Sequence, residues 1–181
     1  MRPISDERAD VHMNSVLSFE SAFPLRPIFD KTAVLFPVVY ELEEADFSAL
    51  SIAVEGCGEK TMVFSRLDRS STETNSWLIE TSDYLGYASL SAPFEAVLVS
   101  TCGRWVVYFD RDEFALFGAD HVLFHTFMKL SERDPKNEAK AFARYAKCAV
   151  SRGDMLLDEA TLILSPVVGP RCARVLLEGA P

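Results

Sequence analysis

Three closely spaced apolar runs in the second half of the chain constrain its fold most strongly. Residues 94–100 are rich in valine and leucine, the polar turn 101–104 follows, and residues 105–109 form a second apolar run. A further polar turn at 110–113 leads into the third run, residues 114–117. Short β-branched and aromatic runs separated by turns of this length predict antiparallel strands that follow one another as a meander.

Two helices are predicted to follow the meander. Asp120 is a suitable N-cap for a helix that runs to about Leu130. Asp134 and Pro135 form a second helix start, because the carboxylate accepts hydrogen bonds from unpaired amides and proline at the first helical position gives up none. Gly153 is the matching stop signal.

The other segments are a mixture of helix and strand signals. We expect a helix from Ser5 to residue 23, an edge or broken strand around Pro37, a hairpin formed by residues 49–55 and 61–67, and a last strand at 174–177. Together these elements predict an α+β fold, with a mainly antiparallel sheet and flanking helices.

Composition indicates a single domain over residues 1–181. Hydrophobic residues make up 49% of the chain, which is enough to bury a core without metals or crosslinks. The four cysteines contain no CxxC pair, so we expect free thiols. The sequence has no secretory signal pattern and no apolar run of about 18 residues, which predicts a cytoplasmic protein with no membrane segment.

The charge is acidic and unevenly distributed. Against 27 Asp and Glu the chain has 18 Lys and Arg, a formal net charge of -9. Residues 1–90 contain 15 acidic and 7 basic side chains, whereas residues 91–181 contain 12 and 11. This balance opposes binding to nucleic acid or to an anionic membrane and favours a basic partner. The basic stripe of the second predicted helix is interpreted as a solvated helix surface; its members are Lys136, Lys140, Arg144 and Lys147.

Motifs that carry catalysis are difficult to find in this sequence. His121 and His125 stand four residues apart and would share one side of a helix, which permits metal binding or a small active site there. The HExxH, GxSxG, GxGxxG and GxxxxGK[ST] patterns are all absent. We therefore assign no catalytic residue, no metal ligand and no cofactor.

One stretch of the meander resembles a known family. Residues 103–110 place a tryptophan-bearing strand before an acidic turn, residues 114–118 form a strand that ends in glycine, and a helix starts at Asp120. This order, over about 30 residues, is similar to that of small bacterial toxin-immunity proteins. The resemblance implies a cytosolic inhibitor that binds a toxin, and it transfers no site residues.

The sequence thus predicts a non-enzymatic protein-binding module that neutralises a toxin through an acidic surface, with a basic toxin domain as the partner. The alternatives are a small enzyme with its site near His121 and His125, and an adaptor or assembly protein. The expected partner contacts are two acidic clusters: Glu41, Glu43, Glu44 and Asp46, and then Asp110, Asp112 and Glu113.

Overall fold

A computed structural model describes residues 1–18, 29, 32–37, 41–69, 73–90, 95–110 and 114–178, except for the side chain of Asp110. Its α+β architecture confirms the predicted fold class. The strands are β1 (Arg2–Pro3), β2 (Ala33–Pro37), β3 (Thr61–Arg66), β4 (Ser76–Glu80), β5 (Ala96–Ser100), β6 (Trp105–Asp110) and β7 (Phe114–Ala119). The helices are α1 (Asp6–Val16), α2 (Glu44–Glu55), α3 (Tyr84–Ala88), α4 (His121–Leu130), α5 (Pro135–Arg152), α6 (Leu157–Val168) and α7 (Pro170–Glu178).

The strands form one sheet in the order β1-β4-β3-β5-β6-β7-β2, and every pairing between them is antiparallel. The predicted meander is confirmed, because β5, β6 and β7 are consecutive neighbours. The predicted edge strand is also confirmed. It is β2, which pairs with β7 and ends at Pro37.

Helices cover both faces of the sheet. On β6, Trp105 and Val107 belong to the core beneath α2, α3 and α4, whereas Val106 belongs to the core beneath α1, α5, α6 and α7. We call these two sides the α2–α4 face and the α5–α7 face. Because strand side chains alternate between faces and both faces are buried, apolar residues in the central strands occur in continuous runs rather than at every second position.

Three helix ends follow their sequence signals. The Asp120 side chain accepts a hydrogen bond from the Leu123 N–H at 3.0 Å, and Asp134 accepts one from Lys136 at 2.9 Å. Helix α5 ends at Gly153, whose φ of 80° lies in the left-handed region that glycine adopts most readily. The N-caps at residues 120 and 134 and the stop at Gly153 are therefore confirmed.

Two predicted strands are wrong. Residues 49–55 belong to α2, and residues 174–177 belong to α7. The first segment contains β-branched residues, but Leu50 and Val54 are four apart on the buried side of a helix while Ile52 is exposed. The glycines after it end this helix instead of turning a hairpin. In α7, Pro170 is at the first helical position, which is a helix-start signal.

Candidate functional site: an acidic surface on the α2–α4 face

The first predicted acidic cluster lies at the start of α2, against α3. Glu43 and Glu44 are exposed and Glu41 is half-buried. Tyr84 and Leu85, at the start of α3, complete this surface, and Leu85 is 82% exposed. We call these five residues the acidic surface.

A buried tyrosine attaches the chain that precedes α2 to α3. The phenolic oxygen of Tyr87 accepts a hydrogen bond from the backbone N–H of Leu42 at 2.8 Å. Its ring stacks on Phe47 of α2, with ring centroids 4.8 Å apart. Burial raises the pKa of Tyr87 far above its ordinary value, so it remains a neutral phenol at physiological pH. Leu42 is itself fully buried, which fixes Glu41 and Glu43 on either side of it.

The three carboxylates of the acidic surface form no ion pair with any other residue that the structure describes. Desolvation raises the pKa of Glu41. Desolvation is also the first reason that the pKa of Tyr84 is raised, and the three carboxylates raise it further. The same groups thus share one local negative field.

The start of α2 is not optimised for helix stability. Glu43 is the N-cap residue, and its side chain makes no capping hydrogen bond. Serine, threonine, aspartate and asparagine are preferred at this position because their short side chains reach the free amides of the first turn. A long carboxylate at a capping position leaves its charge directed toward solvent.

Asp46 does not belong to the exposed surface. Its carboxylate is buried and accepts two hydrogen bonds from the guanidinium of Arg133, at 3.0 and 2.7 Å. Arg133 also donates to Glu138 at 2.9 Å and lies over the ring of Phe36. Asp46 therefore connects α2 to the loop that precedes α5, and its predicted role as a partner contact stays a prediction.

The second predicted acidic cluster falls largely outside the described residues. Asp110 ends β6, but its side chain is not among those described, and Asp112 and Glu113 lie outside the described ranges. The prediction that these three residues contact a partner stays a prediction.

The two histidines of the alternative site do lie together. Their Nε2 atoms are 3.2 Å apart, and both rings are exposed on α4. Within the described ranges, no group of three or more histidine, cysteine, aspartate and glutamate residues is arranged to hold a metal ion. The pair therefore supplies two ligand atoms on an open surface.

The sequence analysis did not identify the buried carboxylate of Glu59, which precedes β3 and contacts the turn between β5 and β6. Glu59 accepts hydrogen bonds from the Ser100 hydroxyl at 2.9 Å, from Trp105 Nε1 at 2.7 Å, and from the backbone and hydroxyl of Thr101. Ser100 in turn accepts from the backbone amides of Cys102 and Arg104, each at 3.1 Å. Both carboxylate oxygens are thus occupied in holding the turn, which gives Glu59 a structural role.

No helix in the described part of the chain has the length and hydropathy needed to cross a membrane. Comparisons of the chain with family models, with curated proteins and with solved structures give no match.

Proposed function

We propose that this protein is a non-enzymatic binding module, in which the acidic surface captures a basic protein partner. The resemblance of the meander to toxin-immunity proteins makes a basic toxin domain the partner class, and inhibition by occlusion the mode of action. Such a role places the protein in the cytoplasm, where a toxin-producing cell needs protection.

The observation that carries this proposal is the grouping of three carboxylates that form no ion pair with any residue the structure describes. Some carboxylates elsewhere in the described residues have cationic neighbours, as Asp46 has Arg133 and Asp120 has Arg104. Glu41, Glu43 and Glu44 have none among the described residues, although they lie close enough to affect one phenol together. Charges of one sign with no internal partner steer a cationic protein and pair with it on contact.

The apolar members of the acidic surface, Tyr84 and Leu85, supply apolar contacts that the carboxylates do not. Leu85 is almost fully exposed, and the ring of Tyr84 packs on Phe47 at a centroid distance of 5.5 Å. Interfaces gain most of their affinity from a few apolar or aromatic anchors, while surrounding charges govern the association rate. A basic partner with a small apolar recess therefore fits this surface best.

The test begins by recovering and purifying the partner with the immobilised protein. Its affinity is then measured at low and high salt for the wild type and for the triple variant Glu41→Gln, Glu43→Gln, Glu44→Gln. We expect the triple variant to lose about tenfold or more in affinity, and to lose most of the salt dependence.

A matched control removes the same number of charges elsewhere. Glu7, Asp68 and Asp158 are exposed, lie on α1, after β3 and on α6, and form no ion pair among the described residues. The variant Glu7→Gln, Asp68→Asn, Asp158→Asn should bind nearly as wild type. Equal losses in the two triple variants would mean that net charge, and not this surface, attracts the partner.

A further inference from the structure

An open apolar groove lies on the α5–α7 face, on the opposite side of the sheet from the acidic surface. Its floor and walls come from α5, the end of α6 and α7, and its volume is about 540 Å³. The apolar lining residues are Ala139, Val167, Val168, Val175 and Leu176. Val175 is 51% exposed. This volume lies within the roughly 300–1,000 Å³ that small-molecule sites occupy.

The polar side chains that line the groove are three cations and one thiol. Lys136, Lys140 and Arg171 line it together with Cys172, and no acidic residue of the described ranges does. Among the described residues, none of the three cations forms an ion pair. An apolar cleft beside unpaired cations is complementary to a ligand with one anionic end and a hydrocarbon body.

The dimensions of the groove favour a small ligand over a helical peptide. Its lining spans residues 136–140 of α5 and 171–176 of α7, about 6 and 7.5 Å along the helix axes. A helix that docks through anchors at i and i+7 needs about 10.5 Å. A flexible acyl chain bends to fill a short groove, whereas a helix does not.

We propose that this groove binds a hydrophobic carboxylate of the medium-chain fatty acid class. The carboxylate pairs with Lys136, Lys140 and Arg171, and the chain lies over the valines at the junction of α6 and α7. This site is independent of the acidic surface and of the partner that the surface captures.

Titration calorimetry with dodecanoate, below its micelle concentration, tests the proposal directly. We expect saturable binding with one site, weaker binding of octanoate by up to about fourfold for each methylene that the groove no longer buries, and no saturable binding of dodecyltrimethylammonium. Equal binding of the anionic and cationic detergents would overturn the proposal, because the cationic rim would then select nothing.

Charge reversal on α5 provides a matched pair of variants. Lys136→Glu with Lys140→Glu should weaken dodecanoate binding about tenfold or more. Arg144→Glu with Lys147→Glu changes the net charge by the same amount on the same helix, but neither residue lines the groove, so binding should change less than about threefold. Circular dichroism establishes that both variants fold. Similar effects in the two variants would contradict the proposed site.

Two native cysteines can be used to detect a ligand in the groove of the wild-type protein. Cys172 lines the groove, while Cys148 is exposed on α5 outside it. Dodecanoate should slow the maleimide modification of Cys172 and leave that of Cys148 unchanged, as read by peptide mass. If neither rate changes at saturating dodecanoate, the ligand binds elsewhere. If an acidic amphipathic peptide protects Cys172 and dodecanoate does not, the groove is a protein-docking site and the fatty-acid proposal fails.

Discussion

The backbone N–H of Leu42 donates to the hydroxyl of Tyr87, 45 residues further along the chain, at 2.8 Å within the core. This single bond attaches the segment that carries Glu41 and Glu43 to the helix that carries Tyr84 and Leu85. Together with the packing of Tyr84 and Tyr87 on Phe47, this bond sets the relative position of the two halves of the acidic surface.

Tyr87→Phe should lower both stability and partner affinity. The Leu42 amide would stay buried without an acceptor, which costs about 1–3 kcal/mol of unfolding free energy. Urea denaturation measures this loss, and titration with the purified partner measures the effect on binding. Tyr84→Phe is the control for stability, because it also removes one phenolic hydroxyl but from a ring that is only half-buried. A Tyr87→Phe variant as stable as wild type would show that the bond contributes little.

Glu43→Ser should stabilise the protein while it weakens partner binding. Serine at the N-cap reaches the free amides of the first turn of α2, which Glu43 does not, and we expect a gain of about 0.5–1 kcal/mol. The same change removes one charge from the acidic surface. Glu44→Ser, one residue later, offers no cap and should not stabilise. Thermal unfolding of the two variants measures this difference in stability, and equal melting temperatures would contradict the predicted capping effect of Glu43→Ser.

Arg133→Met should destabilise the protein by more than about 2 kcal/mol, because Asp46 would stay buried without its cation. The double variant with Asp46→Asn should recover much of that loss. Urea denaturation of both single variants and the double variant gives the coupling energy between the two residues. A coupling near zero would mean that solvent compensates the carboxylate.

The Glu41 carboxyl should make stability depend on pH. Its pKa is raised in the folded state, so the folded protein binds this proton more tightly than the unfolded chain does. Its contribution is therefore present at pH below the ordinary glutamate value and is lost as pH rises through the raised pKa. Glu41→Gln should remove the contribution of Glu41 to the pH dependence of stability. The difference in unfolding free energy between the variant and wild type should therefore shift in favour of the variant as pH rises from acidic values to 7. Unfolding free energies across this range test the sign, and parallel curves would contradict it.

Local signals predicted the second half of the chain better than the first. Asp120, Asp134 and Gly153 act on groups within a few residues, so their roles are visible in the sequence. Residues 49–55 were predicted as a strand because β-branched residues are common there, but the packing of Leu50 and Val54 under the sheet determines a helix.

The acidic surface could be predicted only in part. Glu41, Glu43 and Glu44 are adjacent in sequence, so their grouping needs no tertiary information. Asp46 lies two residues beyond Glu44, which rotates it about 200° around α2 and turns it inward. Tyr84 and Leu85 come from a distant helix, and no sequence pattern connects them to α2. Glu59 likewise gave no signal, since its donors come from a separate hairpin.

Both margins of the sheet are short or interrupted. β1 has two residues and includes Pro3, while β2 ends at Pro37 and is packed by α5 and α6. Proline has no backbone N–H to donate to an incoming strand. A two-residue strand offers too few backbone hydrogen bonds to pair with another strand in a fixed register. A foreign chain would consequently gain few hydrogen bonds by extending either described margin of this sheet, which disfavours edge-to-edge polymerisation of the folded protein.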